Sequence, residues 1–411
     1  MNSYIDYLNE CEGKLKDEFN KIDNVVLLNS KKVLDAFKKE NLSEYHFNTT
    51  TGYGYNDLGR DVIEKIYSDI FKSEDALVRN QFISGTHALT VTLFGLLRPQ
   101  DTMLCISGLP YDTLHEVIGI RENPSSLKSF GIEYEQVDLI DDDFNYTEIL
   151  SRLSNNNYKM VYIQRSKGYS TRKSITISKL KRIIDKIREV DKDVIIMVDN
   201  CYCEFVTEYE PIQLGANICV GSLIKNLGGG ITSNGAYVVG DRKLISLVAE
   251  RLNVPGEGKE VGPSQNMNRQ ILQGLYNAPS VVGSALKTAI LTSYALEEKG
   301  YLVEPKYNSE RADIVQNIVF NDKNKLIEYC RGVQAGSAID SNAIPNPSEM
   351  PGYDDQIIMA SGSFTQGSSI EFSCDAPIRS PYIAYQQGSV TYEYGKLGLA
   401  SALEYIEKVD N

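Results

Sequence analysis

VIIMVD, residues 194–199, sets five apolar side chains in a row and ends on an acid. So short an unbroken apolar run fits a strand buried on both faces, as in a parallel sheet covered by helices. The residues before it agree. Ile177, Leu180, Ile183, Ile184 and Ile187 recur at helical spacing and mark one apolar face. KMVYIQ (159–164), NICVGS (217–222) and AYVVG (236–240) repeat the strand pattern. Strands alternating with helices from about residue 60 to 240 predict an α/β fold with a mostly parallel sheet.

Such a sheet binds ligands beyond the carboxyl ends of its strands. VIIMVD ends at Asp199. A buried carboxylate needs a partner, either a loop N–H or a cationic nitrogen on a ligand. NQFIS (80–84), read as the first strand, runs into Gly85, Thr86 and His87 at the start of a helix. Amides there suit an anion, or simply a cap. NICVGS ends at Ser222, and GSLIKNLGGG (221–230) places Lys225 three residues later. The order is not that of a P-loop, where the lysine follows the glycines and precedes Ser or Thr. A lone lysine is ordinarily a solvated surface charge. Taken together, the strand ends offer amides for an anion, a carboxylate, a hydroxyl and an amine. Pyridoxal 5'-phosphate carries a phosphate, a protonatable ring nitrogen and an aldehyde, and engages all of them.

The rest of the chain bounds this reading. Its 411 residues allow two or three domains and a large core. A net charge of -13 argues against nucleic-acid and anionic-membrane partners. No apolar run is long enough to span a membrane, and no signal peptide is visible. The seven cysteines are scattered, which fits reduced thiols in a cytoplasmic protein. Cys201 and Cys203 resemble half a metal site, but the three histidines, His46, His87 and His115, supply no second pair, so no metal is expected. No G-x-G-x-x-G follows the first expected strand, which sets a nicotinamide dehydrogenase aside.

Three regions are expected. Residues 1–55 form an N-terminal helical segment with Val33, Leu34 and Phe37 on one face, contacting the small domain or a partner subunit. Residues 56–300 form the large domain, closing with a long helix over about 264–299. Residues 301–411 form a smaller α+β domain containing a strand at SIEFS (369–373) and a last helix near 391–408. The stretch from about 335 to 368, rich in Ser, Gly, Pro and Asn, reads as loops at the surface or over a site.

YGYNDLGRD (53–61), SGTHA (84–88), GLPYDTL (108–114), DNCY (199–202), SLIKNLGGG (222–230) and DAPIRSPY (375–382) carry a resemblance. From about residue 45 onward the chain resembles the fold-type-I pyridoxal-phosphate enzymes of cysteine and methionine metabolism. Within them it is most similar to the methionine gamma-lyase-related or aluminium-resistance group. The resemblance implies an aspartate-aminotransferase-type fold and a set of roles. Lys225 would bond covalently to the cofactor aldehyde as an imine, which needs a lowered pKa. Asp199 would face the ring nitrogen. Gly85, Thr86 and Ser222 would hold the phosphate. Tyr111 would stack on the ring and, with an acidified phenol, assist proton transfer. Gln164 would bond the ring 3'-oxygen. Tyr55, or Tyr53 in its place, and Arg60 would reach the phosphate of a neighbouring subunit, making a homodimer or homotetramer with shared sites. Arg379 would hold the substrate α-carboxylate, or else form an interdomain salt bridge.

The reaction implied is β- or γ-elimination by a carbon–sulfur lyase on a small amino acid such as cystathionine, cysteine, homocysteine or methionine. Two alternatives stand beside it. One is an aminotransferase, or a lyase for an amino acid without sulfur. The other is a cofactor-binding stress or regulatory protein with little catalysis.

Overall fold

The computed structural model describes residues 2–410. Seven strands make the larger sheet: β1 (Asp75–Arg79), β2 (Thr102–Cys105), β3 (Glu133–Gln136), β4 (Met160–Gln164), β5 (Ile195–Asp199), β6 (Ile218–Ser222) and β7 (Ala236–Gly240). Their order is β1-β7-β6-β5-β4-β2-β3. β2 to β6 run parallel, while β7 runs antiparallel to both β6 and β1. The mostly parallel α/β sheet read from the sequence is therefore the architecture of the large unit.

Alternation along the strands assigns the faces. Met103, Met160, Tyr162 and Met197 pack with Ala88, Leu93 and Val248 from helices Gly85–Leu96 and Arg242–Leu252. Leu104, Val161, Ile163, Ile196 and Val198 pack with Ile149, Leu180, Ile183 and Ile187 from helices Tyr146–Asn155 and Ile177–Val190. β4, β5 and β6 are buried at every residue. Their register pairs Gln164 with Asp199, and Asp199 with Val220, so the carboxyl ends lie side by side.

The second sheet is antiparallel throughout: β8 (Leu302–Glu304), β9 (Gln316–Val319), β10 (Ile357–Ser361), β11 (Ser373–Pro377) and β12 (Ile383–Gln387), in the order β10-β11-β12-β9-β8. Helix Asn268–Glu298 serves both units. Its residues Ile271 to Leu286 enter the core beside β1 and β7, and Leu291 to Leu296 enter the core of the second sheet. Leu8, Cys11 and Leu15 join that second core. Helix Lys16–Lys39 buries Val33 and Ala36 against the first, whereas Leu34, expected on the same face, is 42% exposed. No described helix is long and apolar enough to cross a membrane.

Two strand expectations shift. NQFIS is not a strand; β1 is the preceding DALVR. Charged ends disguise that segment in the sequence. Arg79 is buried because its guanidinium pairs with Glu64 at 2.7 Å, and β1 matches β7 from Asp75↔Gly240 to Arg79↔Ala236. Asn80 and Gln81 instead bond loop groups: Asn234 Nδ2 donates to Asn80 O, and Gln81 Nε2 to Pro263 O. SIEFS is a loop as well. The Glu371 carboxylate accepts the amides of Phe364 and Thr365 at 2.8 and 3.0 Å, and the strand starts only at Ser373.

Candidate functional site

Seven of the candidates meet in one cavity of about 170 Å³: Gly85, Thr86, Tyr111, Gln164, Asp199, Ser222 and Lys225. The cavity lies where β4, β5 and β6 end. Gly85 and Thr86 begin helix Gly85–Leu96, and first-turn amides have no acceptor within their own helix. Ser84 caps this end by accepting from the His87 amide at 3.0 Å. A Cβ on Gly85 would lie 3.3 Å from Ser222 Cβ, so the helix end and the tip of β6 share one corner of the cavity.

The three glycines after Lys225 make the loop compact. A Cβ at Gly228 would lie 1.8 Å from Leu223 O, and one at Gly229, whose φ is 54°, would lie 2.4 Å from Gly274 O. Only glycine lets the chain fold back so tightly against helix Asn268–Glu298. Lys225 is thereby held over the end of β6, with Nζ 3.9 Å from the Tyr202 ring centroid.

Electrostatically the lysine differs from expectation. Burial pushes the Lys225 amine down, but Cys201, Tyr202 and Asp199 hold it above the ordinary lysine range. Its neighbours are acids and aromatics rather than cations. Burial pushes the Asp199 carboxyl up, and Lys225, the Cys201 amide and the Tyr162 hydroxyl pull it back. The Cys201 amide donates to Oδ1 at 3.1 Å and Tyr162 to Oδ2 at 3.4 Å.

Tyr111 is set by both ends. Its amide donates to Gln164 Oε1 at 2.7 Å, and its hydroxyl meets that of Tyr353 at 2.6 Å. A Cβ at Gly168, whose φ is 57°, would lie 2.7 Å from Tyr111 Cδ2, so this glycine makes room for the ring. The condition for Tyr111 to assist proton transfer, an acidified phenol, is not met: burial pushes it well above its ordinary range, and Tyr202 and Tyr353 add to that. Burial holds it in its neutral form. Gln164 is partly committed, with Nε2 donating to Ser166 O at 2.9 Å and Oε1 orienting Tyr111.

Arg60, Tyr55 and Arg379 lie elsewhere. Arg60 turns inward, its Nη1 donating to Gly54 O at 2.7 Å and Gly262 O at 3.1 Å, with Asp61 at 3.0 Å. These carbonyls and the carboxylate hold the guanidinium against its own chain. Tyr53 and Tyr55 stack at 5.6 Å and stay 68% and 55% exposed. Arg379 pairs with Asp355 at 2.8 Å and donates to Tyr169 O at 2.9 Å. That places it outside the cavity lining, where it bonds Asp355 and ties the loop after β11 to Tyr169 of the large unit.

Sequence reasoning passed over Tyr202, Tyr169, Tyr353 and Asp375. Tyr202 stood inside the quoted DNCY motif. Its φ of 72° swings the ring under Lys225, a turn the sequence does not announce. Cys201 and Cys203 are buried, and burial raises both thiols well above their ordinary range, so they are poor thiolates.

Glu204 lies fully buried beneath β6. Burial pushes its carboxyl up to about 8, against the Tyr237 hydroxyl that donates to Oε1 at 2.8 Å. A Cβ at Gly221 would lie 2.3 Å from Oε1, so the acid presses on the strand leading to Lys225. An acid raised above its ordinary 4.5 contributes full stability below that value and loses it as pH rises to about 8. Glu204→Gln is expected to match the wild type near pH ~5 and exceed it above pH ~8 by on the order of 3–5 kcal/mol. Urea unfolding at both pH values checks this, and parallel pH profiles for the two proteins would contradict it.

Comparison with known proteins places this geometry. The methionine gamma-lyase family model matches residues 4–407. A solved carbon-sulfur lyase involved in aluminum resistance from Clostridium novyi NT superposes with a TM-score of 0.94 at 47% identity, covering 98% of this chain and 96% of that one. The Bacillus subtilis protein YnbB is 44% identical over 397 residues, 96% of this chain and 94% of its own length. At 16% identity, the pyridoxal-5'-phosphate-dependent protein YhfS from Escherichia coli shares the fold, with a TM-score of 0.62 over 93% of this chain and 97% of that one. The chain belongs to the methionine gamma-lyase family.

Proposed function

We propose that this protein is a pyridoxal-phosphate-dependent carbon–sulfur lyase acting on a sulfur amino acid. One observation carries the reading: a lysine amine, a carboxylate and free helix-end amides converge in a single cavity. These donors match the cofactor's three functional groups. The amides of Gly85 and Thr86 and the Ser222 hydroxyl suit a phosphate. Asp199, whose neutral form burial favours, regains its charge beside a cationic ring nitrogen. Lys225 supplies the amine for the aldehyde, and Tyr111 offers an aromatic wall. When bound, pyridoxal phosphate supplies the electron sink for the pair left at the substrate Cα.

The chain's own groups then move the protons. The Lys225 amine takes the Cα proton. Loss of the sulfur substituent breaks the C–S bond, and its electron pair leaves with the thiol. With one water, the products are a 2-keto acid, ammonia and the thiol. Tyr111, held neutral by burial, positions groups through its hydroxyl rather than acting as a base.

We also propose that two or more copies assemble with shared sites. Tyr53, Tyr55 and Ile83 are 68%, 55% and 77% exposed. Their segments are joined: Gly262 N donates to Tyr53 O, and Gln81 donates to Pro263 O, so these apolar groups flank the cavity's Ser84 edge. A second copy would cover them.

The test is an assay of the cofactor-loaded protein on cystathionine, cysteine, homocysteine and methionine, with light scattering on the same sample. Keto acid and thiol in equal amounts, from a dimer or tetramer, are expected. Absence of keto acid across the panel would sink the lyase reading. A fully active monomer would sink the shared site.

A further inference from the structure

We propose that Tyr353 is a positioning residue for the cleavage: when Tyr111 gives its phenolic proton to the departing sulfur, the Tyr353 hydroxyl hands it another. The inference rests on the lyase reading and adds a residue to it. Tyr111 lines the cavity, and its hydroxyl meets that of Tyr353 at 2.6 Å. The two rings stand edge to face with centroids 6.1 Å apart, and the Tyr353 ring also packs on Tyr169 at 5.5 Å. The backbone beside Tyr353 is close to the cavity as well. A Cβ at Gly352 would lie 3.7 Å from Cγ2 of Thr113, another residue of the lining. Ion pairs hold the next two residues from both units, Asp354 with Arg121 and Asp355 with Arg379, each at 2.8 Å.

A phenol carries one proton and has lone pairs to spare, so Tyr111 can donate to sulfur while accepting from Tyr353. Alone it is a poor acid, because burial holds it neutral. Burial raises the Tyr353 phenol too, but the Tyr111 hydrogen bond lowers it, so of the pair Tyr353 is the one to carry a negative charge. Tyr353 is also partly exposed to solvent. The C–S bond breaks and its electron pair stays on sulfur. Sulfur takes the Tyr111 proton, Tyr111 takes the Tyr353 proton, and solvent returns one to Tyr353. With the two transfers coupled, no phenolate is left on Tyr111.

The test uses two substrates of nearly one shape, S-ethyl-cysteine and S-(2,2,2-trifluoroethyl)-cysteine. Fluorine makes the second thiol the stronger acid, so its anion leaves with less need of a proton. In Tyr353→Phe, which keeps the ring and its packing, keto-acid release from S-ethyl-cysteine is expected to fall at least about tenfold, and from the fluorinated compound by less than about threefold. Equal losses would show a merely structural role, and no loss would show no role; either overturns the proposal. A second readout needs neither cofactor nor turnover. With 3-fluorotyrosine in place of Tyr353 in the cofactor-free protein, its fluorine resonance should titrate at higher pH once Tyr111→Phe removes the partner hydroxyl. An unmoved midpoint overturns the proposal, whether or not Tyr353→Phe folds. If the wild type cleaves neither compound, the lyase reading fails and the relay falls with it; if it cleaves both, the variant judges the relay alone.

Discussion

Lys225→Ala is expected to release keto acid at least about 10³-fold more slowly than the wild type on every substrate the latter cleaves. Two functions vanish with one amine: the covalent hold on the cofactor and the base for the Cα proton. No described neighbour can replace it. Cys201 and Tyr202, closest in the electrostatics of the site, are both raised by burial and remain protonated. The fold should survive, because the loop's shape depends on Gly228 and Gly229 packing against Leu223 and Gly274 rather than on the lysine. Added methylamine, a free base small enough for a cavity of about 170 Å³, should restore part of the rate. Borohydride treatment of the cofactor-loaded wild type should label the Lys225 peptide and leave the variant unlabelled. A variant retaining more than about a tenth of the wild-type rate, or a label on another lysine, would remove Lys225 from the centre of the chemistry.

The same loop shows what a sequence reveals and what it withholds. The runs 160–164, 195–199 and 218–222 are legible because burial on both faces favours apolar side chains up to the last residue of each strand. Once the strands are known, the residues at and just past their carboxyl ends follow from parallel register, and Asp199, Ser222 and Lys225 are read that way. β1 escaped notice because Arg79 and Glu64 bury an ion pair where an apolar pattern is expected. The tyrosine cluster escaped for another reason. Tyr111, Tyr169 and Tyr353 come from three separate loops, and Gly168's left-handed turn makes room for the Tyr111 ring among them. No local spacing encodes that meeting. Arg60 and Arg379 were read from motif alone, and a motif does not tell whether a guanidinium faces a ligand or a carbonyl. Both face carbonyls.

Asp199→Asn is expected to lower kcat by about 10²–10³ while the protein stays folded, because a preorganised charge is lost and little else. The amide keeps the shape of the carboxylate, and its oxygen can still accept from the Cys201 amide, now at 3.1 Å from Oδ1. What it cannot do is hold a cation at the end of β5. Without that charge a protonated ring nitrogen is disfavoured, and the pair of electrons left at Cα is less well accommodated. A second effect has an independent sign. Asp199 is one of the groups that hold the Lys225 amine above its ordinary range. Its removal lowers that amine, so unprotonated Lys225 appears at lower pH in the variant. In the cofactor-free protein, labelling of Lys225 by an amine-reactive reagent should therefore reach half its maximum at lower pH than in the wild type. A purely structural role for Asp199 would reduce stability and leave that midpoint in place. Wild-type kcat with an unmoved midpoint would show that the carboxylate and the lysine do not share one site.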